Sequence, residues 1–299
     1  MAEKKKVITR RDFIRASSCV AMGSLVGLPL LENPSVTKPT KSRVVLVRDR
    51  GVLDSQGQCR PRTLQNMVDR AVTTLLDAPD PTSAWKELIR PTDIVGIKSN
   101  VWHYLPTPKA LEAAIRESLV DVGVNEENMA ADDRGVRRNA VFKRCTALIN
   151  VRPMRTHHWS GLGTLIKNYV MFVPRPWKYH GNACENLGAI WQLPHVKGKT
   201  RLNILVMLTP LFHGIGPHHF SRRYTWRYCG LIVGTDPVAV DATGARIIQA
   251  KRDAFFGTGR PISPPPLHIA AADTRFGLGN SHPDRIELVM LGWEKDVLI

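Results

Sequence analysis

Ile94-Val-Gly-Ile-Lys98 is followed by Pro108-Lys-Ala-Leu-Glu-Ala-Ala-Ile-Arg-Glu-Ser-Leu-Val-Asp-Val122 and then by Asn128-Met-Ala-Ala-Asp132. A short apolar run, a helical stretch opened by proline and a second short run make one strand–helix–strand unit. Pro108 suits the first helical turn, where its missing N–H is harmless, and Thr107 stands at the N-cap position. The alternation continues outward in both directions. Strands are expected at Arg43–Val47, Ala147–Val151, Asn203–Leu208, Leu231–Gly234 and Ile286–Leu291. Helices are expected at Arg62–Leu76 and at Pro237–Lys251, the latter capped by Asp236. This order implies an α/β fold, a mostly parallel sheet flanked by helices on both faces. Between Pro174 and Lys199 the periodicity disappears, so the single domain over residues 43–299 contains one long irregular loop of the kind that forms lids or binding loops.

The 299 residues are 43% hydrophobic and 23% charged, which excludes wholesale disorder. The net charge of +16 favours anionic partners. No zinc-finger or RRM signature accompanies it and the Lys/Arg pairs are scattered, so no nucleic acid is expected as a partner. Cys59, Cys145, Cys184 and Cys229 lie far apart with no CxxC pair. No ferredoxin-type iron–sulfur cluster is therefore expected within this chain. Disulfides and buried free thiols both stay open.

Lys4-Lys5-Lys6, Arg10-Arg11-Asp-Phe-Ile-Arg15 and an apolar stretch from Ala16 to Leu31 form a basic region followed by an apolar one, the physical pattern of an export signal. Paired arginines, one variable residue, then Phe, an aliphatic and a basic residue closely resemble the twin-arginine (Tat) signal family. The resemblance implies that residues 1–42 are signal and linker, read through Arg10 and Arg11 by the Tat translocase as a transient partner. It implies a periplasmic or other extracytoplasmic location, and often a cofactor acquired before export. The apolar stretch is short for a stable membrane span and is broken by Gly23, Gly27 and Pro29. No Ala-x-Ala cleavage site is evident, so a membrane-anchored form through an uncleaved signal stays open.

In open α/β sheets, ligands collect beyond the carboxyl ends of the strands. The residues following the expected strands are dense in polar groups: Lys98 and Asn100, Asp132 and Asp133, Arg152 and Arg155 leading into His157-His158, then Asp236. Within Arg155-Thr-His-His-Trp-Ser-Gly-Leu-Gly-Thr-Leu-Ile-Lys-Asn168, Gly161 and Gly163 permit close backbone approach. Lys167 and Asn168 follow on a helix, where a buried lysine needs a partner or a function. The stretch is neither a Walker A loop nor a dinucleotide fingerprint. His157 and His158 are the proton-transfer candidates, because imidazole titrates near neutrality. Seven of the ten histidines, including His213, His218 and His219, fall between residues 157 and 219. A metal ion is therefore a candidate cofactor, at a site assembled over distance. In Gly234-Thr-Asp-Pro-Val-Ala-Val-Asp241, Asp241 lies one turn inside an apolar helix start and needs a bond, from Lys98, Lys167 or a cation.

Val95-Gly-Ile-Lys-Ser-Asn100, the Arg155–Asn168 block and Gly234–Asp241 together resemble the DUF362 family over most of residues 44–292. Other members read Lys-Pro-Asn where this chain has Lys98-Ser-Asn100, and commonly place a glycine after Lys-Asn-x-x where Met171-Phe172 stands here. Many relatives carry ferredoxin-type cysteine clusters that this chain lacks. The family's activity is unknown, so the resemblance implies no reaction.

These readings point to an exported α/β enzyme or cofactor-dependent protein acting on an anionic small molecule, a carboxylate or phosphate, with or without a metal. Lys98, Asn100, Lys167 and Asn168 are expected to bind the anion, Asp236 and Asp241 to orient them or hold a cation, and His157 or His158 to move a proton. All are expected at one carboxyl edge of the sheet. The alternative is a non-catalytic accessory that binds a periplasmic redox enzyme, or its ligand, through the Trp- and His-rich loop.

Overall fold

Eight strands form one sheet in the computed structural model, which describes residues 41–214 and 220–299. The expected signal with Arg10 and Arg11, and His218 and His219, lie outside the described residues. The strands are β1 (Ser42–Arg48), β2 (Val95–Lys98), β3 (Met129–Asp132), β4 (Ala147–His157), β5 (Gly161–Gly163), β6 (Thr200–Leu211), β7 (Gly230–Gly234) and β8 (Ile286–Gly292). Their order is β3-β2-β4-β6-β7-β1-β8, with β5 hairpinned onto β4. Neighbours run parallel except around β7, which is antiparallel to both β6 and β1, and in the β4–β5 pair. The sheet is mostly parallel, as expected.

Both faces are covered because the strands are apolar on both sides. Val45 and Val47 of β1 face one layer with helices α1 (Pro61–Leu76), α2 (Pro81–Leu88) and α3 (Lys109–Asp121). Val44 and Leu46 face the other, with α5 (Leu165–Asn168), α6 (Gly188–Trp191), α7 (Pro237–Phe256) and α8 (Leu267–Thr274). One short helix, α4 (Ala140–Arg144), lies between β3 and β4 in sequence. Each aliphatic side chain taken fully out of water in these layers contributes about 1.5–3 kcal/mol.

Helix ends follow local chemistry. Asp236 caps α7, its Oδ1 accepting the Val238 and Ala239 N–H groups at 2.8 and 3.0 Å. At α3 the expectation is off by one: Pro108 is the cap residue, and the Thr107 hydroxyl accepts the Asn100 N–H at 3.0 Å. Asp80-Pro81, a cap followed by an N1 proline, starts α2, which the sequence reading passed over. The 174–199 stretch is a chain of single 3₁₀ turns, at Pro176–Tyr179 and Asn182–Leu187, closed by the one-turn α6.

The direction of β7 overturns one expectation. Because β7 runs against its neighbours, its carboxyl end with Asp236 emerges at the edge opposite the ends of β2 and β3. Strands stacked about 4.8 Å apart put β7 about 14 Å from β2, with β4 and β6 between them.

Ile204, without solvent exposure on central β6, pairs with Val151 and Val233. Ile204→Ala is expected to remove about 2–5 kcal/mol of stability, read as a lower urea midpoint with unchanged slope. A loss below about 1 kcal/mol would show that this face of the sheet is not close-packed.

Candidate anion pocket

The pocket exists because β4 outruns β2. β2 ends at Lys98, opposite Asn150, whereas β4 continues through Arg152, Arg155 and His157. The extension is polar and contains Pro153, which has no N–H to donate, and the β4–β6 register shifts between Pro153 and Arg155. The expected strand ended at Val151; Arg152 and Arg155 are strand residues, not loop residues. β5 folds back on β4, pairing Gly163 with Arg155 and Gly161 with His157. Gly161 has φ +69°, and a Cβ there would sit 2.1 Å from the Pro264 carbonyl oxygen. A Cβ on Gly163 would come within 2.8 Å of Arg152 Nη2, so the bare backbone makes room for that guanidinium.

α5 then delivers Lys167 and Asn168. Its first N–H groups, of Leu165 and Ile166, donate to the two Asp241 carboxylate oxygens at 2.9 Å each. Asp241 is thus an orienting group, bound to backbone rather than to Lys98 or Lys167. It has no solvent exposure, and burial pushes it up to about 7 despite those bonds. Asp236 is not part of this arrangement: beyond its capping role, it accepts from the Ser42 hydroxyl at 2.5 Å and the Asn280 N–H at 2.8 Å.

Lys98 has 0% exposure and three acceptors for its three protons: Asp133 at 2.5 Å, the Ser99 carbonyl at 2.7 Å and Asn168 Oδ1 at 3.3 Å. Burial pulls it down to about 8 although Asp133 supports its charge. Lys98 in turn keeps Asp133 ionised, below its ordinary value, against the opposing effect of burial. Asn168 donates to the carbonyls of Lys98 and Val151 and to Asn150 Oδ1, and Asn150 donates to Asn203 Oδ1. Lys98 and Asn168, expected as anion ligands, therefore spend their donors on the protein and stiffen the pocket floor.

The cavity measures about 280 Å³. It is lined by Asn100, His157, His158, Lys167 and Asn168 from the expected set, and by Trp102, Asp133, Arg152, Arg155, Trp159 and His180, which the expected set omitted. Arg152, Arg155 and Lys167 have no carboxylate partner at ion-pair distance among the described residues. Arg152 Nε and Arg155 Nε are buried without a hydrogen-bond partner among the described residues. Arg155 lies over the Trp102 ring at 4.0 Å. Burial pulls Arg152 down to about 10 and Arg155 well below its ordinary value, and Lys167 down to about 8.

His157 accepts the Trp159 N–H on Nδ1 at 3.2 Å, which leaves the ring proton on Nε2. Burial, then Lys167, Arg155 and Arg152, hold His157 far below its ordinary value. It is a neutral donor in this pocket, not a base poised near neutrality as expected. His158 stacks on it at 4.9 Å, and Trp159 stacks on His180 at 4.1 Å. No group of three or more His, Cys, Asp or Glu among the described residues is arranged to hold a metal ion. The four cysteines of the described residues are free thiols.

The family described as "Domain of unknown function (DUF362)" matches residues 95–246. The chain belongs to the DUF362 family. That span runs from the start of β2 into α7 and includes every residue of the pocket from Asn100 to His180, with Lys98 and Asp241 beneath it. No curated protein and no solved structure matches this DUF362 chain.

Lys167 yields a signed pH effect. Its folded value, near 8, lies below its ordinary 10.5. Between the two the unfolded chain holds the proton more tightly, so stability rises with pH across that window. Lys98 adds in the same direction. Lys167→Met is expected to flatten part of the rise in urea midpoint between about pH 8 and 10.5. An identical slope in the variant would mean that Lys167 keeps its charge without penalty.

Proposed function

We propose that this DUF362 protein is an exported enzyme that binds a small carboxylate or phosphate in the β4–α5 pocket. The observation behind this reading is the charge imbalance of the cavity: Arg152, Arg155 and Lys167 are buried around it, while Asp133 is engaged by Lys98 and Asp241 by backbone N–H groups. Buried charges are ordinarily paired, and one left without a counter-ion is costly. An anion supplied from outside completes the set. At about 280 Å³ the space suits a ligand of metabolite size rather than a nucleotide.

His157 supports the same reading. Its Nε2–H is a hydrogen-bond donor for the anion. After burial, the cations that disfavour its protonation are Lys167, Arg155 and Arg152, the groups an anion would neutralise. Export rests on Lys4–Lys6, Arg10, Arg11, Phe13 and Arg15. A second reading, as an accessory to a partner protein, is favoured by Trp177 at 65% and Trp159 at 47% exposure on neighbouring loops. A partner that co-purifies stoichiometrically and buries Trp177 would support it.

Calorimetric titration with phosphate, sulfate, pyruvate and malonate is the direct test. Arg152→Met and Arg155→Met are each expected to weaken the tightest of these at least tenfold, since a bond to a charged group is worth about 1.5–3 kcal/mol. Absence of binding by all four would overturn the reading. For export, replacing Arg10 and Arg11 together by lysine keeps the charge and is expected to leave the protein in the cytoplasm. Unchanged export of that variant would remove the Tat assignment.

A further inference from the structure

Asn182, Ala183 and Cys184 have φ of 44°, 51° and 63°, three consecutive left-handed residues without a glycine. Left-handed backbone is unfavourable for a non-glycine residue, and it normally occurs at single positions. Here it is held by its surroundings. Asn182 donates to Glu185 at 2.5 Å, Glu185 pairs with Arg275 at 2.7 Å, and Cys184 is fully buried. The result of the turn is one contact at the pocket: Lys167 Nζ donates to Cys184 Sγ at 3.5 Å.

That contact is the sole hydrogen bond of the Lys167 amine among the described residues, and the side chain is 3% exposed. A neutral thiol does little to hold an ammonium, unlike the carboxylate that holds Lys98. Burial, with the like charge of Arg152 and Arg155, favours the free amine and its lone pair, against the support that Cys184 gives the ammonium. Lys98 is excluded from the same role, because its three protons have three acceptors.

We infer that Lys167 is an amine nucleophile that condenses with the keto group of a small 2-oxo acid whose carboxylate is held by Arg152 and Arg155. This deepens the anion-pocket reading and rests on it. Arg152, Arg155 and Lys167 all line one cavity of about 280 Å³, a space that accommodates a three-carbon oxo acid against all three groups. The nitrogen lone pair forms the C–N bond as the carbonyl π pair moves to oxygen. The two amine hydrogens then leave with that oxygen as water, giving a C=N bond without any oxidant or reductant. His157, which lines the same cavity, is the donor assigned to the departing oxygen through its Nε2–H. Cys184 acts as a positioning residue for the amine.

Pyruvate followed by sodium borohydride tests this on the full-length protein. The expected result is one reduced-pyruvate adduct per chain, mapped by peptide mass spectrometry to Lys167 and not to Lys98. Lys167→Arg keeps the positive charge, and is expected to bind pyruvate in calorimetry while forming no adduct. Mapping on the unmodified sequence keeps the test intact should that variant fail to fold. Pyruvate binding without an adduct, or adducts spread over surface lysines, would overturn the imine while leaving the anion pocket standing. Failure to bind pyruvate, phosphate or sulfate would overturn both.

Discussion

The Lys98 ammonium sits in a place that water does not reach, and the geometry around it follows from that. Its three protons require three acceptors, which fix Asp133 after β3, the Ser99 carbonyl after β2 and the Asn168 side chain on α5. Asn168 then ties α5 to β2 and β4, and Asn150 passes the chain of bonds to Asn203, whose amide reaches the Thr235 carbonyl at 3.1 Å. One polar seam crosses four strands of an otherwise apolar layer. Removing a single partner from a buried pair of this kind typically costs 3–5 kcal/mol, because the other charge is left stranded. The seam therefore fixes where α5 sits against the sheet, and with it the position of Lys167.

Charge is distributed unevenly on the two sides of that seam. The two carboxylates nearest it have their donors within the protein: Lys98 and the Val101 N–H for Asp133, at the cavity's edge, and two backbone N–H groups for Asp241, beneath. Above it, two guanidiniums and an amine share a cavity with His157 and His180, both held below their ordinary values chiefly by burial. Stacked aromatic and histidine rings, rather than opposing charges, make up much of the wall. Such a wall shields cations from water without neutralising them, which raises the strength of any electrostatic contact made inside.

Much of the sheet was legible because apolar runs such as Val44–Val47 and Ile204–Val206 identify strands buried on both faces. Strand direction is a different matter, since periodicity says nothing about it. The link from β6 to β7, residues 212–229, is long enough for a return in either direction. The direction of β7, and with it the edge that Asp236 occupies, is therefore not legible in the sequence. Arg152 and Arg155 were visible as residues but not as strand, because a Pro-containing polar segment carries no strand signature. The neutrality of His157 depends first on its burial and then on the nearby Lys167, Arg155 and Arg152, and burial of a polar strand extension is revealed only by the fold.

The pairing of β1 with β8 brings together the two ends of the domain: Arg43 and Glu287, hydrogen-bonded side by side, are 244 positions apart. β1 is an interior strand, with β7 on its other flank. Contacts this far apart in sequence slow folding, since the intervening loop must close before they form. During synthesis β1 emerges early but has no neighbour on either side until β7 and then β8 have followed. The sheet can thus be completed only after residue 292 has left the ribosome, which leaves residues 42–48 an unpaired apolar strand while the 181 residues between β1 and β7 are made, in need of protection until β7 and β8 arrive.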